Sequence, residues 1–546
     1  MTAQLETPTG RARAASGLRS RPTVAWMGLI VLGVFGAAAI LFATPWGAGL
    51  GGDSYYYVSG ARNLLAGLGF SRPAADGGIR IITHYPPGYS TVLAVLTGLG
   101  LETLVAARWL DAVLFGVNIF LLGFMVYRVT RSAAPAYLAA LLMLSSPALL
   151  VVHTWVLSEP LFLTFALLTL LALAGAAEQG RAWMILAAGL TAALGYLTRY
   201  VGLALIAAGG IALLGSGEGT VLRRLGRAAG FGVIAILGAG AWAARNLAVG
   251  GSLAYSAAQL HPPSVERLTE AAGTISLWFL PNRIPFSFRA VGAAAALSCL
   301  VIVALYLLRR GAGDGLDRAG KAQAGILLCL ALVYSISIVG ALTLVGSSIP
   351  LDDRILSPLL VALLGLGVLM GWAILGRVKR GSLQWWSIAL VSLGFAVLML
   401  FRGASTAWRL RGDGQGHAAR AWQESALVDY VRRLPDGVPI YSNELDVLYL
   451  HTGRQAFQVP IRWDPVVEAP RDDYAAQLAA MRGRITDEGA VLVLFNTISE
   501  QQVFLPPEEE LTRGLVEVFR ASDGAAYAAG PVPIVRATAG RRGILW

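Results

Sequence analysis

Along most of the chain, runs of roughly 18 to 25 apolar residues alternate with short polar breaks. That spacing suits helices crossing a hydrocarbon core about 30 Å thick. The runs predict spans near 23–42, 107–127, 134–152, 160–177, 183–198, 200–214, 228–249, 290–308, 322–345, 355–375 and 382–401, eleven in all. The fifth and sixth crowd together around YLTRYVGLAL. The first run is as long as a full span and others follow it, so it reads as a retained helix rather than a cleaved signal.

Composition agrees with this pattern. Of the 546 residues, 56% are hydrophobic and 14% charged, too few polar groups to cover a soluble core of this size. The formal charge of +11 does not point to nucleic acid, because its distribution is wrong. From residue 402 onward there are 16 Arg and Lys against 18 Asp and Glu, a net of −2, so the excess lies in the membrane half. There it falls into clusters: Arg11, Arg13, Arg19 and Arg21 before the first span, Arg128 and Arg131 after the second, Arg181 after the fourth. Arg223, Arg224 and Arg227 follow the sixth, Arg309, Arg310, Arg318 and Lys321 the eighth, and RVKR (377–380) the tenth. With eleven spans all of these fall on one side, which the positive-inside rule makes cytoplasmic. The expected arrangement is a cell (inner or plasma) membrane protein with a cytoplasmic basic tail (1–22) and a membrane domain (23–401). Its loops 43–106, 250–289 and 346–354 face outward, as does the segment 402–546.

The outer segments have patterns of their own. DSYYYVSGARNLLAG predicts an amphipathic helix lying in the membrane interface, between two glycine breaks. In ITHYPPGYS, Pro86 and Pro87 force an extended turn before the chain re-enters. After residue 401 the composition changes. AWQESALVDYVRRL and AAQLAAMRGRITDEG have helical periodicity, while VPIYSN and AVLVLFN read as short buried strands, which predicts a small α/β domain. GDGQG (412–416) reads as a linker turn. The fold class expected is a polytopic α-helical membrane protein with a C-terminal extracytoplasmic α/β domain. Cys299 and Cys329 lie within apolar runs and are expected to serve packing, with neither a disulfide framework nor metal-ligand spacing.

Charged residues recur at the outer ends of different spans. Asp53 is either a helix N-cap or a general base at the outer surface. Glu159, in SEPLF, is either a first-turn charge on the helix dipole or a second acid facing the same cavity. Asp352, Asp353 and Arg354, in PLDDRILSPLL, read as cap and snorkelling arginine, or as a binding group whose guanidinium suits phosphate oxygens. Arg199, in YLTRYVGL, sits at a depth where an arginine needs a partner. Arg283, in WFLPNRIPFSFR, and His84, in THYPPGY, are weaker candidates for an anionic ligand. Acids and arginines gathered at outer helix ends fit a lipid-phosphate substrate.

The ordered set of an aspartate in the first outer loop, then YPPGY, SEPLF, LTRYVGL and DDRILSPLL resembles the polytopic glycosyltransferases of the GT-C superfamily. The most similar branches are the protein O-mannosyltransferases, the lipid A aminoarabinose transferases and the bacterial arabinosyl- and mannosyltransferases. LVDYVRRLPDGVPIYSNELDVLYLHTGR resembles the outer domain of bacterial members.

The resemblance implies that a sugar moves from a polyprenyl-phosphate donor to a hydroxyl acceptor (glycan, lipid or protein) at the outer face of the membrane, with inversion. It gives Asp53 the role of base, matches Glu159 to the acid of the next outer loop, and puts Arg354 and Arg199 near the donor phosphate. Ser54 stands where relatives often carry a second acid, and His84 and Tyr85 where several carry a charged pair. Tyr55, Tyr56 and Tyr57 are expected to anchor in the interface or stack on sugar. No cofactor is required, with a divalent metal neither demanded nor forbidden by any residue cluster. A transporter or lipid flippase is the competing class; it predicts internal repeats and ionisable residues near the midplane, whereas the charges here lie at helix ends. A sensor carried by the outer domain leaves those charges unexplained.

Overall fold

In the computed structural model, each of the eleven apolar runs forms a helix or a bent helix pair. The structure describes residues 22–215, 220–250, 262–309, 316–344, 349–464, 469–496 and 505–534. Arg11, Arg13, Arg19, Arg21 and Arg310 lie outside the described residues, as do 251–261 and 346–348 of the outer loops. Among the described residues eight helices are long and apolar enough to cross a membrane, nine if the pair Ala133–Leu144 and Pro147–His153 counts as one span bent by 61°. The two runs outside that set, Ala182–Thr198 and Gly202–Gly215, make helices of 17 and 14 residues.

The bend has a local cause. Pro147 has no N–H to continue the preceding helix, and Ser146 starts a new one by accepting from the Leu149 N–H at 3.4 Å. The last span runs on past residue 401: the Leu383–Asp413 helix has 31 residues, or about 46 Å at 1.5 Å per residue.

The chain divides into two compact units. The first comprises Met1–Thr44, Thr83–Tyr89 and Ala107–Gly412. Its interior is packed by Phe115, Met125, Leu149, Leu205, Phe231, Leu327 and Leu366. Large apolar side chains such as Trp26, Phe35, Leu237, Ile336 and Phe401 point outward, as a surface facing lipid requires. Backbones approach closely where glycines meet: a Cβ on Gly33 would stand 2.8 Å from the Gly116 carbonyl oxygen. Cys299 is exposed on the Phe286–Arg309 helix, so the packing role expected of it does not hold; Cys329 is half-buried.

The second unit comprises Pro45–Ile82, Ser90–Ala106 and Asp413–Trp546. It holds a hairpin, β1 (Ser71–Pro73) and β2 (Ile79–Ile81), and a five-stranded sheet. The sheet strands are β3 (Ile440–Ser442), β4 (Phe457–Gln458), β7 (Val491–Phe495), β8 (Val516–Ala521) and β9 (Gly524–Ala528), in the order β4-β3-β7-β9-β8; β5 (Trp463–Asp464) and β6 (Ala469–Pro470) pair separately. β3 is parallel to β4 and β7, while β9 is antiparallel to β7 and β8. Val491, Val493 and Phe495 pack on one side with Leu427, Val431 and Val447. Leu492 and Leu494 pack on the other with Leu478, Met481 and Ile485. The period of two puts a core on each face of β7, which is why AVLVLF is apolar throughout.

Candidate functional site

Three helix ends of the first unit converge on one carboxylate. Glu159 begins the Glu159–Gln179 helix, with Pro160 inside its first turn, where a proline fits and an acid complements the helix dipole. Arg199 is the C-cap of the Ala182–Thr198 helix, and Arg354 lies in the first turn of the Asp353–Leu375 helix. Arg199 Nη1 stands 2.6 Å from Glu159 Oε1 and donates to Ser158 Oγ at 3.2 Å. Arg354 Nε donates to the same Oε1 at 3.2 Å. Glu159 is 1% exposed and Arg354 about one third. Among the described residues Glu159 Oε2 is buried without a hydrogen-bond partner. Two guanidinium groups share one buried carboxylate oxygen in a water-poor setting, where electrostatic interactions are strengthened.

The aspartates beside Arg354 have structural work. Asp352 is the N-cap, accepting from the Arg354 and Ile355 N–H groups at 3.0 and 3.1 Å. Asp353 accepts from Trp278 Nε1 at 2.9 Å. Tyr334 donates to the Ile355 carbonyl at 2.6 Å and so braces the same turn.

The THYPPGY segment is fastened beside Arg199. Tyr200 donates to the Thr83 carbonyl at 2.6 Å, Asn246 Nδ2 donates to it at 3.1 Å, and Trp242 Nε1 donates to the Tyr200 hydroxyl at 3.0 Å. Gly88 lies so close to the end of the Ala182–Thr198 helix that a Cβ would stand 2.7 Å from the Leu197 carbonyl oxygen. Tyr89 donates to Asp111, 3.1 Å from both carboxylate oxygens, and both residues are fully buried. His84 and Tyr85, with ring centroids 4.4 Å apart, therefore sit on a turn held at both ends. Arg283 is exposed on a separate turn, and among the described residues no hydrogen bond or ion pair ties it to Glu159.

Asp53 belongs to the second unit. Gly51 is the N-cap of the Gly52–Leu65 helix, and its N–H donates to Ser54 Oγ at 3.1 Å. Asp53 is thus the second helical residue, half-buried, near the positive end of the helix dipole; it is not the cap. The tyrosines after it are not interface anchors either. Tyr55 and Tyr57 are buried, and Tyr56 is half-buried with Arg72 over its ring at 4.8 Å. Burial raises the Tyr55 hydroxyl well above its ordinary pKa, with Asp446 adding to the effect. Burial, then the neighbouring Glu444, lifts Asp446 itself to about 7 against the pull of Arg72.

Several polar residues escaped the sequence reading. Asp111 and Asn118 lie inside the Thr103–Thr130 run, where apolar neighbours mask them. Arg289 is buried on the first turn of the Phe286–Arg309 helix, and among the described residues its Nε and Nη1 have no partner. An arginine at the mouth of an apolar run is the signal that marked Arg199, and it applied to Arg289 equally. The first unit also holds an apolar cavity of about 370 Å³, lined by Trp278, Phe279, Leu300, Leu364, Trp372 and Phe395 among others. Among the described residues no three His, Cys, Asp or Glu side chains gather as metal ligands would.

Residues 84–242 match the family described as dolichyl-phosphate-mannose-protein mannosyltransferase. No curated protein matches the chain. Among solved structures, the chain is similar to ArnT from Cupriavidus metallidurans bound to undecaprenyl phosphate, with a TM-score of 0.54 and 15% identity, covering 92% of this chain and 98% of that one. It is similar to the archaeal oligosaccharyltransferase AglB from Archaeoglobus fulgidus in complex with an inhibitory peptide and a dolichol-phosphate, with a TM-score of 0.50 and 13% identity over 86% of this chain and 69% of that one. The arabinofuranosyltransferase AftD from Mycobacteria gives a TM-score of 0.51 and 14% identity over 92% of this chain and 41% of that one. The chain therefore has the fold of the GT-C glycosyltransferases over most of its length, and residues 84–242 carry the match in sequence.

Proposed function

We propose that this protein moves a sugar from a polyprenyl-phosphate donor to a hydroxyl acceptor at the outer face of the membrane, inverting the anomeric centre. The observation that carries the reading is the Glu159–Arg199–Arg354 cluster, a buried carboxylate holding two arginines at converging helix ends. The fold supports it: ArnT carries undecaprenyl phosphate and AglB a dolichol-phosphate.

In this reading Asp53 takes the proton of the acceptor hydroxyl, whose oxygen attacks the anomeric carbon while the bond to the phosphate oxygen breaks. Charge develops on the departing lipid phosphate, and fixed guanidinium groups stabilise it most where water is scarce. Arg354, a third exposed, is the arginine that reaches the phosphate, and Arg199 backs it. Glu159 serves that step by holding both arginines in place rather than by moving a proton. The apolar cavity suits an isoprenoid chain, and the unpaired N–H groups of Arg289 suit an anionic headgroup. The reading needs no cofactor, because the arginines supply the neutralising charge. It sets the N-terminus in the cytoplasm and the C-terminal domain outside an inner or plasma membrane, following the basic clusters. The acceptor is a glycan, a lipid or a protein.

The test is transfer by purified protein in lipid vesicles from a panel of radiolabelled polyprenyl-phosphate sugars, with donor binding scored alongside. Wild type should move label to an acceptor; Asp53→Asn should bind donor and move none. Absence of both binding and transfer across the panel would sink the reading.

A further inference from the structure

We propose that the C-terminal domain is a positioning device for Asp53: Tyr449 and Gln455 grip the Gly52–Leu65 helix and its hairpin from behind, so that the carboxylate keeps a fixed station. The inference rests on the glycosyltransferase reading and concerns contacts inside the second unit alone.

The grip on the helix follows from its period. Tyr55 and Arg62 are seven residues apart, two turns along one face. Both meet the same ring of the Leu445–Thr452 helix. Tyr55 packs edge-on to Tyr449 at 5.3 Å between centroids, and the Arg62 guanidinium lies 5.4 Å from the Tyr449 centroid. Two contacts two turns apart fix both rotation and tilt. Asp53 precedes Tyr55 by two residues, which at about 100° per residue puts it roughly 160° round the helix. The Tyr449 contacts therefore fall on the face opposite the acid.

The hairpin is held as well. Gln455 Nε2 donates to the carbonyls of Ala74 and Gly78, both at 3.0 Å, and the Gln458 N–H donates to the Ala75 carbonyl at 3.1 Å. Gly77, at φ 88, faces Phe457 so closely that a Cβ would stand 2.5 Å from its ring. The hairpin in turn holds the helix, because Tyr55 donates to the Pro73 carbonyl at 3.0 Å. At the near end, the His417 N–H donates to Leu50 at 2.8 Å and Gln423 Nε2 donates to Trp46 at 3.2 Å. A helix of 14 residues is marginal on its own, so its order has to come from such contacts. Helix, hairpin and the segment that enters the helix are each tied to residues beyond 413, an arrangement that fits a carboxylate whose placement governs a proton transfer.

The experiment compares full-length wild type, Tyr449→Ala, Tyr449→Phe, Gln455→Ala and Asp53→Asn in lipid vesicles, reading kcat, donor KM and donor binding, with thermal unfolding as the check on folding. Tyr449→Ala should lose about 100-fold in kcat, the order expected for misplacing a reacting group by an ångström, with donor KM and binding within about twofold of wild type. Tyr449→Phe keeps the ring and should restore kcat. Gln455→Ala should lose about tenfold in the same parameter, and it decides the matter if Tyr449→Ala does not fold. Wild-type kcat in the folded Tyr449→Ala and Gln455→Ala proteins, with Asp53→Asn inactive, overturns the positioning role and leaves the function standing. Full transfer by Asp53→Asn overturns Asp53 as the base, and the positioning role with it, while absence of donor binding and transfer in wild type overturns the function reading itself.

Discussion

Arg199 Nη1 and Glu159 Oε1 stand 2.6 Å apart, with the carboxylate almost wholly out of solvent. Breaking a buried pair by removing one partner leaves the other charge stranded, at about 3–5 kcal/mol. Glu159→Ala and Arg199→Ala should therefore lower the thermal unfolding temperature substantially. Arg354 is more exposed and its contact to the same oxygen is longer, 3.2 Å, so Arg354→Ala should lose only about 1 kcal/mol. Its effect should fall on donor binding and transfer instead. Equal unfolding temperatures for Arg199→Ala and Arg354→Ala would count against this division of labour.

Gly33 and Gly116 set how closely two membrane helices approach. A Cβ on Gly116 would stand 2.6 Å from the Gly33 carbonyl oxygen, and neither backbone can yield without parting the helices. Gly116→Leu should destabilise by about 1–3 kcal/mol, as overpacking does. Gly340→Ala is the control: nothing lies within 4 Å of its added methyl, so unfolding should shift by no more than about 0.5 kcal/mol. Thermal unfolding of the two variants, side by side, checks the contrast.

These two cases mark what the sequence made legible. Apolar runs reveal membrane helices because lipid demands a backbone satisfied within each segment, so the pattern repeats locally. Glu159, Arg199 and Arg354 were legible for a related reason: a charge at the mouth of an apolar run is conspicuous. Their convergence on one oxygen was not, since it depends on how three separate helices pack. Asp53 was legible as a residue, and of its two readings the cap does not hold, because the helix starts one residue before it, with Gly51 as its N-cap. The partners of its helix lay beyond any local reading: Gln455 and Ala74 are 381 residues apart in sequence. Asp111 was hidden by the apolar run around it, and its partner Tyr89 by a loop that reads as a simple turn.

A polar chain inside the membrane unit offers a third test. Thr164 Oγ1 donates to Asn118 Oδ1 at 2.7 Å, and Asn118 Nδ2 donates to the Pro160 carbonyl at 3.0 Å. His153 Nδ1 lies 2.7 Å from the Leu149 carbonyl, which assigns the proton there and leaves Nε2 to accept from Asn118 at 3.1 Å. Asn118→Leu and His153→Phe should each cost about 1–3 kcal/mol, since each strands a buried partner. The double variant should lose less than the sum, by about 0.5 kcal/mol or more. Strict additivity in a double-mutant cycle would mean the two side chains do not share a hydrogen bond.

The last prediction concerns pH and the second unit. Burial, with Glu444 beside it, raises Asp446 to about 7 from an ordinary 3.8. Between those values the folded protein keeps a proton that the unfolded chain has released, so this group's contribution is full below about pH 4 and is lost as pH rises to 7. Buried His451 works the other way. Its pKa is lowered to about 4 from 6.5, so its contribution is lost as pH falls through that window. Burial lowers His417 too, which adds to that second slope. The wild-type profile mixes both slopes; Asp446→Asn removes only the first. Thermal unfolding of wild type and Asp446→Asn at pH 5, 6, 7 and 8 separates them. The variant should gain on wild type steadily from pH 5 to 7 and then hold level, because above 7 the native carboxylate is ionised beside Glu444 with only Arg72 opposing it. A difference that stays constant across the series would mean that Asp446 ionises in the folded protein as it does in the unfolded chain.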